Sequence, residues 1–455
     1  MNSVVEHRSF IDTLKLYVDK RVWIIFVLGF ASGFPWVLIG SAMTAWLKEA
    51  DLTRSAIGFF GSIFAVYAIN FLWAPFVDRI SPPILRRLGS RRSWIFLTLS
   101  LIFIGTLLLS QTDPSKTLWW TSLIALGIAI ASATQDISID AYRIESIKPD
   151  EEHMIPIGSA MATSGWWTGY SLPGALAFYY ADVPDVTWSD VYFALAFIQL
   201  ALMVFVLLIK EPKSNREKIQ SQTQASYIGK LSHLSQPSLL EKVLAWLATT
   251  VVEPLLEFFK RNGFKLAISI LAFIFLFKIG EAFLGRMSIV FYKEVGFTNS
   301  DIATYSKLIG WWVIIIFSIV GSYINTRFGI LKGLIIGGIA MAASNLLFSV
   351  IAHVGPNTDL FAVAVVIDGF TGAFATVAFV SFITKLTSRT YTATQYALLA
   401  SLGNLGKTVM ASSSGLMVDW LDGDWSTFFI ITALMIIPSI LLLLWMGKKY
   451  KHIFK

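Results

Sequence analysis

Two carboxylates stand four residues apart at the end of an apolar run. The stretch SATQDISIDAYRIE, residues 132–145, carries Asp136 and Asp140 and follows LWWTSLIALGIAIA. At helical spacing the two share one face. A charge inside hydrocarbon is costly, so it marks a relay, a solute pathway or an internal ion pair. Counted from Leu118 at about 1.5 Å per residue, Asp136 lies roughly 27 Å along its helix, and Asp140 one turn further. Both therefore belong to the inner third of the membrane. Asp140 reads as a gate partner for Arg91 or Arg92, and Asp136 as a proton carrier or solute contact. Gln135 can hydrogen-bond a sugar or a peptide.

The second half of the chain holds the other intramembrane charges: Lys278, Glu281, Arg286, Lys307, Asp368 and Lys407. Lys278 and Glu281 are i,i+3 neighbours and should meet. Their pair is either structural or opens when a proton or an anionic solute arrives, which makes Glu281 a second proton-coupling candidate. Asp368 is either a third or a partner for Lys307 or Lys407. Lys278, Lys307 and Lys407 can each grip a carboxylate. Arg286, near the outer end of its helix, can snorkel. Of the Trp166/Trp167 and Trp311/Trp312 pairs, one ring of each should face lipid and the other the interior, as a platform for a sugar.

The elements that must position these residues follow from composition. The chain has 455 residues, 55% hydrophobic and 14% charged, against about 25% charged in a soluble domain. Twelve apolar segments are legible, at 22–47, 54–77, 93–111, 117–142, 154–181, 190–210, 264–291, 300–326, 330–352, 359–386, 392–418 and 426–447. Each is long enough to cross about 30 Å of hydrocarbon. The outer loops hold only Lys48, Arg54, Lys116 and Lys293, and nearly all other Lys and Arg outside the spans fall on the opposite side. By the positive-inside rule both termini are cytoplasmic. The net charge of +7 then answers to anionic lipid and not to nucleic acid. The polar first 20 residues predict no cleaved signal peptide. With no cysteine and five scattered histidines, no cofactor or metal is expected.

The organisation is an N-terminal six-helix half (1–210, with an interfacial helix at its start), a cytoplasmic linker with an amphipathic helix (211–263) and a C-terminal six-helix half (264–455). Six plus six with weakly repeated inner loops is the pattern of the major facilitator fold, an all-α integral membrane architecture with solute bound between the halves. The loop after the second segment resembles that superfamily's G-x-x-x-D-R-x-G-R-R signature with an insertion. Asp78, Arg79, Arg91 and Arg92 are the matching positions and are read as gating residues. A membrane-embedded enzyme would need an interfacial nucleophile or a metal-binding acid cluster, and the sequence has neither. A sensor would need more output domain than residues 211–263.

Five stretches together resemble the AmpG-type muropeptide permeases, to which acetyl-CoA transporters are related. They are GFASGFPWVLIGSAMTAWL, FLWAPFVDRISPP, SATQDISIDAYRIE, FKIGEAF and TATQYALLASLGNLGK, in that order. The resemblance implies proton-driven symport of anhydro-muropeptides (GlcNAc-anhydroMurNAc with or without peptide) from periplasm to cytoplasm in peptidoglycan recycling, traffic that also feeds β-lactamase induction. It implies a bacterial inner-membrane location. It also carries over Asp136, Asp140, Lys278, Glu281 and the region of Lys407, with Gln395 as a further substrate-binding candidate. The chain departs from the pattern at Glu281, Asp368-Gly369 and Lys407 and in the long linker, which bears on solute choice more than on fold. Another anionic conjugate such as acetyl-CoA is the alternative solute. The expected partners are solute, protons and lipid, with a monomer as the unit.

Overall fold

The computed structural model describes residues 10–52, 60–212, 214, 216–231, 239–297, 301, 305, 309–411 and 413–450. Among them nine helical stretches are long and apolar enough to cross a membrane. In chain order with their neighbours we label α1 Lys20–Glu49, α2 residues 60–79, α3 Ser90–Leu109, α4 Pro114–Ser146, α5 Ile155–Ala181, α6 Trp188–Leu208 and α7 Phe264–Val295. They continue with α8 Gly310–Phe328, α9 Ile330–Val354, α10 Thr358–Leu386, α11 Thr392–Ala411 with Ser414–Trp420, and α12 Trp425–Lys449. The order fits the expected twelve, and the fold is all-helical.

Local chemistry sets the helix starts. Asp113 accepts the Ser115 N–H at 3.0 Å before Pro114 at the head of α4. Thr187 and Asp190 close a capping box on α6. Such caps satisfy amides that would otherwise be orphaned at a helix end. Several helices are interrupted. α2 passes through 3₁₀ turns at Gly61–Ala65 and Asn70–Leu72, with Pro75 beyond. α7 breaks at Phe277–Lys278. Broken spans are tolerated where they line a cavity that re-satisfies the freed backbone.

Each half has its own apolar core. Phe34, Ile102, Ile128 and Tyr192 centre one, and Phe273, Phe277, Phe382 and Leu443 another. A small cluster spans the halves: Ala74, Val77, Ile137 and Ala141 meet Ala393 and Ala397. Small side chains let α2, α4 and α11 approach closely there.

The α1–α5 crossing is closer still. A Cβ on Gly29 would fall 2.6 Å from the Ala162 carbonyl oxygen, and Cβ atoms on Gly33 and Gly169 would collide with the Trp166 and Phe30 carbonyl oxygens. No flexible side chain is there to yield, so the backbones must part. Gly169→Val should therefore destabilise the fold by about 1–3 kcal/mol or more. Thermal unfolding of the purified protein checks this, and an unchanged midpoint would contradict the close approach.

The linker contributes the helices Arg216–Leu231, Leu239–Leu247 and Glu253–Asn262. It sits against the basic end, with Trp246 6.2 Å from Phe76 between ring centres. The N-terminal helix Phe10–Leu16 packs on the far half instead of lying free: Phe10 meets Tyr323 edge-on, and the Tyr17 hydroxyl is 2.5 Å from that of Ser322.

Candidate functional site

A cavity of about 910 Å³ lies between the halves. A side lobe of about 300 Å³ shares Asp136, Asp140, Trp166, Tyr396 and Lys407 with it. The cavity reaches toward the end opposite the basic loops, where the first turn of α2 and Arg286 line it.

One wall is aromatic. Trp36 stands 4.6 Å from Phe64, 4.8 Å from Tyr67 and 5.5 Å from Trp166, between ring centres. Trp166 and Trp167 both line the side lobe, which corrects the expectation that one of them faces lipid. α5 is buried on the α1 side, so its adjacent Trp residues both have the cavity edge within reach. Trp312, by contrast, is 58% exposed on the outer surface. The opposite wall is cationic. Lys278 sits at the break in α7, 2.8 Å from Glu281 and 2.6 Å from the Thr376 hydroxyl. Lys407 of α11 lines both lobes. Arg286, expected to snorkel outward, turns into the cavity.

Asp136 lines both lobes and accepts a hydrogen bond from Ser32 at 2.6 Å. Asp140 does not pair with Arg91 or Arg92. Its partner is Arg143, one turn along its own helix, at 3.0 Å. Arg143 is 1% exposed, donates to the Thr384 hydroxyl at 2.9 Å and stacks 5.1 Å from the Tyr396 ring centre. It thereby joins α4 to α10 and α11 beneath the cavity. Arg143 lies one turn away on the same helix face, while Arg91 is held by Asp78 and Glu145 instead.

Those loop arginines have other tasks. Arg91, fully buried, bridges Asp78 at 2.7 Å and Glu145 at 2.6 Å. Asp78 also accepts the α11 backbone N–H of Ala393 (3.2 Å) and Thr394 (2.7 Å) and the Thr394 hydroxyl (2.7 Å). A carboxylate at a helix N-terminus meets both free amides and the favourable end of the helix dipole. Arg92 donates to the carbonyls of Val206 (3.0 Å) and Leu207 (2.8 Å), closing the end of α6. Arg79 donates to Gln220 and Gln224 of the linker. Arg389 reaches the carbonyls of Ile144 and Ile147, and Lys385 pairs with Glu152 at 2.7 Å. Nearby on this end, hydrogen bonds from Arg21 to Asp19 and Glu151, both at 2.6 Å, hold those two carboxyls below the usual carboxylate range. The basic end is thus locked between the halves.

Three candidates stand away from the cavity. Gln135 is fully buried in the N-terminal half, and both its amide atoms lack partners among the described residues. One residue along a helix turns about 100°, and here that turn takes Gln135 into the packed interior of the N-terminal half while Asp136 lines the cavity. Gln395 ties the linker to α11, bonding the Pro254 carbonyl (2.8 Å), Glu257 (2.6 Å) and Arg261 (3.1 Å). Asp368 accepts from Ser344 at 2.9 Å inside the C-terminal half and makes no ion pair with Lys407 among the described residues. Lys307 lies outside the described residues. Sequence reasoning missed Arg143, Glu145, Tyr396, Trp36 and Tyr67 as site residues. Arg143 and Glu145 sit in the same stretch as Asp140, and their spacing from it was the available signal.

A cavity between two helical halves, locked at one end and lined by charges and rings, is the architecture of a membrane transporter. The family model described as Major Facilitator Superfamily matches residues 25–311 and 283–453. The structure of the proton:xylose symporter XylE bound to 6-bromo-6-deoxy-D-glucose superposes with a TM-score of 0.68 at 15% identity, covering 96% of each chain. A Rickettsia felis protein named "Putative transporter AmpG 4" is 31% identical over 96% of this chain and 98% of its own length. The Escherichia coli K12 protein named anhydromuropeptide permease is 29% identical over 95% of this chain and 80% of its own. The chain belongs to the major facilitator superfamily, and within it to the AmpG-type branch; it is a multi-pass membrane transporter and not an enzyme.

Proposed function

We propose that this protein is a proton-coupled symporter that carries anhydro-muropeptides from the periplasm to the cytoplasm across the bacterial inner membrane. The observation that carries this reading is the two-sided cavity: an aromatic wall at Trp36, Tyr67 and Trp166 facing cations at Lys278, Arg286 and Lys407. Aromatic faces suit sugar rings, and lysine and arginine suit the carboxylates of a stem peptide. The permease name of the Escherichia coli relative points to the same solute. Basic loops on the locked end make that end cytoplasmic, with both termini there and the cavity facing the periplasm. A solute carboxylate would compete with Glu281 for Lys278, and a proton on Asp136 or Glu281 would remove the charge left behind. Asp140 and Arg143, with Asp78 and Arg91 below, would then release α11 and open the cytoplasmic end. One chain forms the whole cavity, so a monomer suffices as the transport unit.

The test is uptake of labelled GlcNAc-anhydroMurNAc-tripeptide into proteoliposomes. Unlabelled anhydro-disaccharide should compete and acetyl-CoA should not. Competition by acetyl-CoA alone would replace the muropeptide with another anionic conjugate.

A further inference from the structure

A second polar cavity, of about 600 Å³, lies at the basic end between the α2–α3 loop and the linker helix Arg216–Leu231. Arg79, Ser81, Arg86, Ser90, Gln220 and Ser221 line it, together with Gly89. Among the described residues every lining side chain is polar and none is acidic. Arg79 donates to the amide oxygens of Gln220 and Gln224 and makes no ion pair among the described residues. Arg86 is exposed and makes no ion pair among the described residues. Ser90 is 7% exposed, and its hydroxyl has no hydrogen-bond partner among the described residues. Glu211, beside Gly89, uses its two carboxylate oxygens on the backbone N–H groups of Arg91 (2.7 Å) and Arg92 (3.0 Å). It therefore caps α3, and the donors of the cavity are side chains, not the helix end.

We propose that this cavity binds a phosphate-bearing anion. Guanidinium forks and hydroxyls converge on a space that a tetrahedral oxyanion can use from several sides, whereas a planar carboxylate would leave donors idle. The volume leaves room for a substituent on the phosphate, and a lipid headgroup and a soluble phosphate share the required chemistry. Occupancy bears on the transport cycle through Gln220. Its Oε1 accepts from Arg79 of the N-terminal half, and its Nε2 donates to the Thr390 carbonyl of the C-terminal half at 2.9 Å. An anion neutralising Arg79 and Arg86 would hold the linker helix against the loop and keep that bridge closed.

The test has two arms on the full chain. Inorganic phosphate is titrated calorimetrically into detergent-purified protein at constant ionic strength. In parallel, thermal unfolding is followed in phosphatidylcholine nanodiscs with and without phosphatidic acid. Saturable phosphate binding assigns a soluble ligand, and stabilisation by phosphatidic acid alone assigns a headgroup. In either case Arg86→Gln, at an exposed position, should weaken the response about tenfold, as expected for one lost charge-assisted hydrogen bond. No saturable response in either arm, or an equal response in the variant, overturns the proposal.

Discussion

Asp136→Asn is expected to abolish concentrative uptake driven by an inward proton gradient, leaving solute only to equilibrate across the membrane. Asparagine keeps the shape and can still accept the Ser32 hydrogen bond, which runs at 2.6 Å in the native protein. It removes only the ability to gain and lose a proton. Asp136 is the candidate proton site that touches both lobes of the cavity, so its charge is seen by any bound solute. Coupling requires such a group, because a proton can drive transport only where its binding favours one conformation over the other. The measurement is the accumulation ratio in proteoliposomes, with counterflow exchange as a control that binding and opening survive. Full accumulation by the variant would remove Asp136 from the proton path and leave Glu281, whose partner Lys278 is 2.8 Å away, as the next site to test.

Arg91→Ala should cost about 3–5 kcal/mol of stability, the typical penalty for removing one partner of a buried ion pair. Arg91 has no exposed side-chain surface, and the Asp78 and Glu145 side chains it bridges are each 3% exposed. Its loss takes the shared counter-charge from two buried carboxylates that water scarcely reaches. Against a total of about 5–15 kcal/mol, that is a large fraction, and the unfolding midpoint of the purified protein should fall sharply. Combining Arg91→Met with Asp78→Asn and Glu145→Gln removes the stranded charges. That triple variant should recover much of the stability while weakening the charge-assisted tie to Thr394 that closes the basic end. An Arg91→Ala protein as stable as the native one would contradict the buried bridge.

The contrast between these two residues shows what could be read in advance. Asp136 is legible because it interrupts an apolar run, and composition alone makes it costly. Arg91 is legible as part of a basic loop, but its partners are not. Glu145 is 54 residues away in the chain, and Asp78 also binds the start of α11, more than 300 residues on. Gln135 and Gln395 are the opposite case: their types suit a solute, yet helix azimuth sends one into the N-terminal half and the linker claims the other.

By itself the sequence determined the all-helical membrane-spanning class, the clustering of basic residues in one set of loops and the family, because hydropathy runs, loop charge and local motifs are properties of neighbouring residues. Only the tertiary structure decided which charges meet. Asp140 finds Arg143 and not the loop arginines, Trp166 and Trp167 share one cavity edge, and Arg286 turns inward. Those outcomes depend on how each helix is rotated about its axis and on contacts between halves, neither of which is a property of neighbouring residues.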